Sequence, residues 1–424
     1  MRALLRLACA AALVALVFPG GALASVKTLV YNSAPIRLGA YEVERGLQLV
    51  PSPPENGYVV GMKADVYDLL GNPVPHTEVM LHHVVFAKLG TPDSTCRSTT
   101  DLDNEPTALA AERFYAEGEE HAQLAIPAPF GYPNRASDSW GLIYMLMNHH
   151  TRNWVVQVKY TVEYATGEAR TAVTPLWLDV RNCRADPVYN VPGTGGPGST
   201  YTQTADYVVP TSGILVAGMG HLHGGGLSLD VADTSCGSLY TSYPTWGGLE
   251  PRPVLHEPGP LHMTQFSDPA GRPVHAGDTL RLTATYDNSR PHVRVMGISL
   301  VFLAPAPVAG CHAYDSPRPA PSTPEQVTIQ LLRKPAGAVK RVASTWVGDY
   351  RFGAQRVTVR RGTRFTWRFI GTVAHDVTLA SGPVGFASPS QRSGSYSFRF
   401  SKRGTYRLFC SLHPAQMTEI VTVR

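Results

Sequence analysis

Short runs of alternating apolar and polar residues recur along most of the 424-residue chain. Alternation with a period of two is typical of β-strands that bury one face, because successive side chains point to opposite sides of a strand. Glycine and proline separate the runs, as they do where turns interrupt strands. The pattern predicts an all-β fold, with helical periodicity only over residues 107–120. The runs predicted as strands are Thr28–Tyr31, Tyr58–Met62, Val79–Lys88, Gly141–Met147, Trp154–Tyr164, Ile214–Met219, Leu227–Val231, Thr279–Tyr286 and Val293–Leu303.

Two stretches of unusual composition divide the chain. Residues 190–199 read NVPGTGGPGS, which is typical of a boundary between units. Residues 305–324 are rich in proline, which favours an extended, semi-rigid linker. We therefore predict three folded units, at residues 25–185, 200–304 and 325–424.

The amino end is typical of a cleaved export signal. Arg2 and Arg6 precede an apolar run that is too short to span a bilayer, and small residues occupy a cleavage position before Ser25. No later stretch is long and apolar enough to predict a membrane helix. We expect residues 1–24 to be removed and the chain to act outside the cytoplasm, as a secreted, periplasmic or cell-surface protein.

Charge is divided unevenly between the front of the chain and its end. Residues 324–424 carry 16 Lys and Arg against 4 Asp and Glu, a net charge of +12, whereas residues 25–323 carry 19 against 28, a net charge of −9. A basic block can bind nucleic acid, but no nucleic-acid motif accompanies this one. We expect no nucleic-acid partner, and we expect the basic end to dock on the acidic front part of the same chain.

The end of the chain holds a thiol, an imidazole and a thioether within one short turn. Cys410, His413 and Met417 are spaced so that one loop can turn all three inward, and His375 offers a second imidazole from an earlier strand. Two imidazoles, a thiolate and a weak axial methionine are the ligands of blue-copper sites. Residues 340–424 resemble the cupredoxins, the plastocyanin and azurin group. The resemblance implies a Greek-key β-sandwich and a type 1 copper site that transfers electrons.

Assigning Cys410 to copper leaves four cysteines beyond the export signal. An even set is what an oxidising compartment favours, because such cysteines pair as disulfides. Four cysteines allow three pairings. Of these we favour Cys96–Cys183 with Cys236–Cys311, one disulfide for each front unit.

Histidines cluster at three places in the front part: a pair inside a strand, a pair at the end of a strand, and an H-x-H motif before three glycines. Residues two apart on a strand share a face, so the H-x-H pair can hold one metal ion. Adjacent residues face opposite sides, so a pair inside a strand needs a twist or bulge to share an ion. In chain order these residues are His82 and His83, His149 and His150, and His221 and His223.

These histidine groups, followed by a late methionine, resemble the copper type II monooxygenases, which hydroxylate peptidylglycine or dopamine, and their nodulin-type relatives. The resemblance implies two jelly-roll sandwiches with one copper site each. It leaves His150 open as an alternative to His149, and Met263 as an alternative to Met296. The implied ligands are His82, His83 and His149 for an electron-receiving site, and His221, His223 and Met296 for a catalytic, oxygen-binding site.

The resemblance is broken where the peptide-hydroxylating enzymes hold their substrate's carboxylate. The corresponding residues are Met219, Ile298 and Leu300, none of which offers a cation or a polar group. A peptidylglycine substrate is therefore not expected, and an apolar substrate, or none, remains open.

Two functions follow from these patterns. In the first, the final unit takes electrons from a redox partner or a small-molecule reductant and feeds a monooxygenase-like front part. The alternative is a non-enzymatic protein for copper binding, electron transfer or copper sequestration, with a degenerate front part.

Overall fold

A computed structural model describes residues 25–96, 111–184, 186–247, 255–323 and 327–424. These residues form β-strands, turns and extended segments and contain no helix, which confirms the predicted all-β fold of β-sandwiches. Residues 111–118, where the periodicity predicts a helix, form a strand. The predicted export signal, residues 1–24, lies outside the described residues.

In the part of the chain that the structure describes, the first front sandwich contains eleven strands. Its larger sheet has the order β1-β10-β4-β8-β11, with β2 paired to β10 and β7 to β4, and its smaller sheet has the order β3-β9-β5-β6. The strands are β1 (Ser25–Asn32), β2 (Ile36–Leu38), β3 (Val43–Val50), β4 (Gly57–Asp68), β5 (Val79–Pro92), β6 (Ala111–Gly118), β7 (Leu124–Ala125), β8 (Phe130–Asn134), β9 (Trp140–Asn148), β10 (Trp154–Thr166) and β11 (Thr171–Ala172).

The second front sandwich contains two four-stranded sheets and two small ribbons. The sheets have the orders β12-β23-β15-β20 and β14-β21-β16-β17, and the ribbons pair β13 with β22 and β18 with β19. Its first strand, β12, lies within residues 25–185, which we predict as the first unit. The chain therefore passes from the first front sandwich to the second before residue 185. The strands are β12 (Thr174–Asp179), β13 (Tyr189–Val191), β14 (Thr200–Val208), β15 (Gly213–Leu222), β16 (Gly226–Asp233), β17 (Gly237–Ser242), β18 (Pro244–Thr245), β19 (His262–Met263), β20 (Phe266–Val274), β21 (Thr279–Asp287), β22 (His292–Val295) and β23 (Gly297–Pro305).

The last sandwich is built from two four-stranded sheets, β25-β24-β27-β29 and β26-β31-β30-β28. Its aromatic core surrounds Trp367, which is fully buried, and is separate from the core that the two front sandwiches share. The strands are β24 (Ser344–Gly348), β25 (Arg351–Phe352), β26 (Arg356–Val359), β27 (Arg364–His375), β28 (Thr378–Ser381), β29 (Gln391–Arg399), β30 (Gly404–Phe409) and β31 (Thr418–Val423).

Both predicted disulfides are present. Cys96–Cys183 ties the loop after β5 to the turn after β12, and Cys236–Cys311 ties the β16–β17 turn to the segment after β23. Cys410 has no disulfide partner and is buried. Paired cysteines are compatible with an oxidising, extracytoplasmic compartment. Among the described residues, no helix has the length and apolar character needed to cross a membrane.

The proline-rich segment after β23 lies against the second front sandwich. The Tyr314 amide donates to the Ser238 carbonyl at 2.7 Å, and the hydroxyls of Ser316 and Ser322 accept from the amides of Thr241 and Trp246 at 2.8 and 2.9 Å. With the Cys236–Cys311 disulfide, these contacts hold residues 311–322 along the sandwich. We call this segment the strap.

Glu117, on β6, is a buried carboxyl group, and it allows a test of stability against pH. It accepts a hydrogen bond from the Tyr115 hydroxyl and one from the Ala64 amide at 2.8 Å. Burial, which outweighs these bonds, raises its pKa well above 4.5. As the pH rises above about 4.5, the unfolded state releases the Glu117 proton while the folded state keeps it. The free energy of unfolding therefore falls by about 1.4 kcal/mol for each pH unit, until the pH reaches the pKa of Glu117 in the folded protein.

Glu117→Gln removes this proton and is expected to flatten that decline. Chemical unfolding at several pH values should show wild type and variant closest near pH 4, with the variant increasingly more stable towards pH 8. A constant difference across that range would contradict a buried, protonated Glu117.

Candidate metal centres

The C-terminal sandwich brings three predicted ligands together at one end. His375 ends β27, Cys410 follows β30 directly, and His413 lies in the next turn. The Nδ1 atoms of His375 and His413 lie 3.1 Å apart, and the Cys410 Sγ lies 3.6 Å from the His413 Nδ1. Donor atoms that each lie about 2 Å from a shared ion are separated by roughly 3–3.5 Å, so this trio fits a bound metal ion. We call it the C-terminal centre.

Met417 lies in the same turn and is fully buried in the same core. Its amide donates to the His413 carbonyl at 3.0 Å, and its carbonyl accepts from the Cys410 amide at 3.2 Å. These backbone bonds close the loop between β30 and β31, so the loop carries a thiol, an imidazole and a thioether inward together, as the spacing predicts.

Asp376 supports the C-terminal centre from the far side of the thiol. Its amide donates to the Cys410 Sγ at 3.4 Å, and its carboxylate accepts from the Ser411 amide at 2.8 Å and the Thr378 hydroxyl at 2.9 Å. Burial, and secondly the Asp376 charge, raise the pKa of the Cys410 thiol. The thiol therefore needs a cation beside it to ionise, and metal binding would release its proton.

Burial also sets the charge state of the imidazoles. Burial first, and then His375, lower the pKa of His413 to about 4. Burial likewise lowers the pKa of His375. Both rings are thus neutral near pH 7, which is the form that ligates metals. Tyr350 covers His413 from outside, with ring centroids 4.7 Å apart, and is itself 48% exposed.

A second group of potential ligands lies in the front part. One ring nitrogen from each of His82, His223 and His256 lies within 4.8 Å of the others. His82 is on β5, His223 follows β15 and His256 lies in the segment before β19, so both front sandwiches contribute. We call these residues the three-histidine centre. His82 and His223 are buried, and His256 is partly buried.

A bulge turns the adjacent pair His82 and His83 towards each other. The register of β5 against β9 shifts between Leu81 and His83, and the two Nδ1 atoms lie 3.1 Å apart. The sequence requires such a bulge if adjacent histidines are to share one side of a strand. Burial, together with the neighbouring imidazoles, lowers the pKa of His82 well below 6.5.

The structure groups the front ligands differently from the two predicted sites. His149 is fully buried, but its Nε2 faces the Met80 sulfur at 3.4 Å. Its alternative, His150, has its Nε2 3.1 Å from the Thr77 carbonyl in the outer loop. The described residues thus bring His82 together with His223 and His256, while the predicted trio with His149 does not meet.

The predicted catalytic trio is likewise only partly assembled. The rings of His221 and His223 meet edge to face, with centroids 5.0 Å apart. Met296 is buried in the front core, and its carbonyl accepts a hydrogen bond from the Tyr286 hydroxyl, which in turn accepts from the His223 amide. Its alternative, Met263, is fully buried on β19.

His221 is engaged with a buried carboxylate. Its Nδ1 lies 3.0 Å from both carboxylate oxygens of Glu120, which is 2% exposed. Burial disfavours the charged ring, but Glu120 outweighs it and raises the pKa of His221. A Cβ at Gly118 would lie 2.8 Å from the His221 ring, so only glycine allows this close approach. His221 therefore belongs to a proton-holding pair beside the three-histidine centre.

Sequence reasoning missed the segment that carries His256. The neighbouring Glu257 accepts from His292 Nδ1 at 2.8 Å and forms an ion pair with Arg290, which anchors the segment against the loop before β22. Both His256 and His292 lie outside any H-x-H or paired motif. Only the adjacent His-Glu dipeptide marks the place in the sequence, and that pattern alone predicts no particular site.

Arg294 connects the two centres. Its carbonyl accepts a hydrogen bond from the His223 Nδ1 at 3.0 Å, while its guanidinium lies 3.8 Å from the Asp376 carboxylate and 3.0 Å from that of Asp186. Its φ is +54°, in the left-handed region that residues with a Cβ rarely adopt. The Asp376 amide in turn donates a hydrogen bond to the Cys410 Sγ. Arg294 therefore links the three-histidine centre to the C-terminal centre.

Comparison with known proteins gives a partial family match. A family model described as stress up-regulated Nod 19 matches residues 143–306. This stretch includes His223 and His256, whereas His82 precedes it. No curated protein matches the chain.

Several solved cupredoxins are similar to a fifth of the chain. A novel purple cupredoxin from Nitrosopumilus maritimus is 24% identical, with 20% of this chain and 100% of that chain covered and a TM-score of 0.18. A reduced amicyanin mutant is 26% identical over 19% of this chain and 80% of its own, with a TM-score of 0.18. The Cu(I) form of another amicyanin mutant is 24% identical over 20% and 84%, with a TM-score of 0.19.

Proposed function

We propose that this protein binds copper in the C-terminal centre and transfers single electrons outside the cytoplasm. The observation that carries the proposal is the convergence of two imidazole Nδ1 atoms and a buried thiol, with Met417 in the same closed loop. Soft sulfur with imidazole favours copper among the available metals. Copper bound there would alternate between Cu(II) and Cu(I), gaining and losing one electron with no change in covalent bonds.

The residues around the C-terminal centre are suited to holding a fixed geometry. Asp376 ties the thiol-bearing loop to β27, and the Met417 backbone closes that loop, so the ligands have little room to move between oxidation states. Burial of the thiol excludes water from it. A centre of this kind exchanges electrons, and it leaves no open position for a substrate.

The surroundings of the C-terminal centre support a path for the electron from an outside donor to the front part. A reduced redox protein or a small-molecule one-electron reductant supplies it at the exposed Tyr350 edge, and the front part receives it. The contact through Arg294 supports a link between the two parts, and the opposite charges of the basic end and the acidic front part favour their docking. Hydrogen bonds also join the last sandwich to the loop before β14, from the Gly385 amide to the Pro192 carbonyl at 2.9 Å.

The second candidate function is oxidation chemistry in the front part, as the resemblance to copper monooxygenases implies. It is favoured by buried imidazoles beside the proton-holding pair His221–Glu120. Hydroxylation of one C–H bond would consume one O₂, two electrons from the reductant and two protons, and would yield one water. Copper storage or electron transfer alone would consume no O₂ in step with any substrate.

Optical and EPR spectra of the copper-loaded full chain, with copper counted per chain, test the proposal. We expect one copper ion with intense thiolate-to-copper absorption in the visible range. A loaded protein without that absorption would refute the electron-transfer proposal. O₂ consumption that depends on both reductant and an added apolar substrate would then separate the enzyme from the non-enzymatic alternative.

A further inference from the structure

We infer that His82, His223 and His256 together hold one copper ion, in a single site that spans both front sandwiches. The ligand set differs from both sites implied by the monooxygenase resemblance, because it takes one histidine from each and adds His256, which belongs to neither. The choice of copper rests on the proposed function, whereas the ligand set does not.

The His223 ring is oriented as a metal ligand. Its Nδ1 donates to the Arg294 carbonyl at 3.0 Å, which fixes the tautomer and leaves the lone pair on Nε2. That Nε2 is buried and has no hydrogen-bond partner among the described residues. A buried nitrogen without a partner costs free energy, which a bound cation would offset.

The His82 ring has a similar arrangement. Its Nδ1 faces the Nδ1 of His83 at 3.1 Å, and one of the two carries the proton that joins them. This contact engages the Nδ1 edge of His82. The His82 ring packs within the group, with its centroid 5.0 Å from that of His223 and 4.7 Å from that of His256.

The His256 ring is placed by a segment that is fastened on both sides. Glu257 is held by His292 and Arg290, and Glu119 accepts from the Gly259 amide at 3.0 Å. The Glu119 carboxylate also lies 3.8 Å from the His256 Nε2. A carboxylate beside a ligating imidazole is the usual means of orienting it.

Three imidazoles from separate elements supply three ligands, so a four-coordinate ion held by them would have one coordination position left for a further ligand. Such a donor set suits zinc, copper, iron or nickel. Copper is favoured because Arg294 connects this centre to Cys410, and a redox link serves a metal that changes its oxidation state, which zinc does not. The three-histidine centre would thus be the acceptor of the electron that the C-terminal centre delivers.

The test uses the full chain carrying Cys410→Ser, titrated with Cu(II), so that the thiolate absorption is removed. We expect one Cu(II) per chain with a non-blue EPR spectrum that shows coupling to three imidazole nitrogens. His256→Ala, and the more conservative His256→Gln, should each weaken Cu(II) binding by more than roughly a hundredfold, which exceeds the loss caused by removing an orienting partner. The matched control is His262→Ala. His262 is an exposed histidine six residues away, and this variant should bind Cu(II) like the parent.

Two results would overturn the inference: unchanged Cu(II) binding in both His256 variants, or a loss of binding on His149→Ala that equals the loss in the His256 variants. Thermal unfolding of the metal-free variants shows whether each remains folded. The proposed function is tested separately, by whether the copper-loaded wild-type chain shows the visible thiolate-to-copper absorption. A wild type without that absorption, whose non-blue copper still disappears on His256→Ala, would refute the proposed function and support this site.

Discussion

Replacing Cys410 with serine is expected to abolish the visible thiolate-to-copper absorption of the copper-loaded protein. Among the described residues, Cys410 supplies the only thiol at the C-terminal centre, and its Sγ lies 3.6 Å from the His413 Nδ1. A serine hydroxyl is a hard ligand and does not replace the soft thiolate. The loss should be complete because the absorption arises from the sulfur–copper bond itself. Absorption and EPR spectra of wild type and variant, at matched copper content, give the answer.

His312→Ala serves as the control for this change. His312 is exposed on the strap, away from the C-terminal centre, and its removal should leave the absorption unchanged. Comparison of the folded state by circular dichroism separates loss of the ligand from loss of the sandwich. A Cys410→Ser protein that kept an intense visible band would place the copper elsewhere and contradict the assignment.

Replacing Arg294 with leucine is expected to slow electron exchange between the two centres, because it removes the guanidinium that contacts Asp376 while the Arg294 carbonyl still binds His223. The same change should lower the free energy of unfolding by about 3–5 kcal/mol, because the buried Asp376 loses a cationic partner. Flash-induced reduction of the C-terminal centre, followed by its reoxidation, measures the first effect. Chemical denaturation measures the second.

Two companion variants separate the charge of Arg294 from its place in the route. Arg294→Lys keeps a cation near Asp376 and should restore most of the stability. Arg281→Leu removes an exposed arginine that pairs with the exposed Asp206, and it should change neither quantity, because exposed ion pairs contribute little. An Arg294→Leu protein with wild-type exchange between the centres would show that electrons do not travel by this residue.

The C-terminal centre could be predicted from sequence because most of it is local. Cys410, His413 and Met417 lie in one turn, so their spacing along the chain fixes their spacing in space. His375 is remote, but it ends a strand of the same small sandwich. The pairing Cys96–Cys183 and Cys236–Cys311 was also predicted, but its premise of one disulfide for each front unit holds only for Cys236–Cys311. Cys96–Cys183 joins the first front sandwich to the turn after β12 of the second.

The three-histidine centre was only partly predictable. Its ligands come from three segments more than thirty residues apart, and which of the front histidines meet depends on the bulge beside His82 and on the anchoring of Glu257. Neither feature follows from alternation of apolar and polar residues. The predicted helix over residues 107–120 failed for a related reason: β6 is buried on both faces, which removes the period of two that marks a half-exposed strand.

The strap has a kinetic consequence for the two centres. Because Ser322 is still bound to the second front sandwich and Lys340 is already paired with Val357, only about 17 residues lie between the anchored ends. So short a connection keeps the last sandwich beside its own front part, which it already contacts through Arg294 with Asp376 and through the Gly385 amide with the Pro192 carbonyl. The last sandwich would therefore meet its own front part far more often than that of another molecule. Electron exchange should accordingly be first-order, with a rate constant that does not change when the protein is diluted.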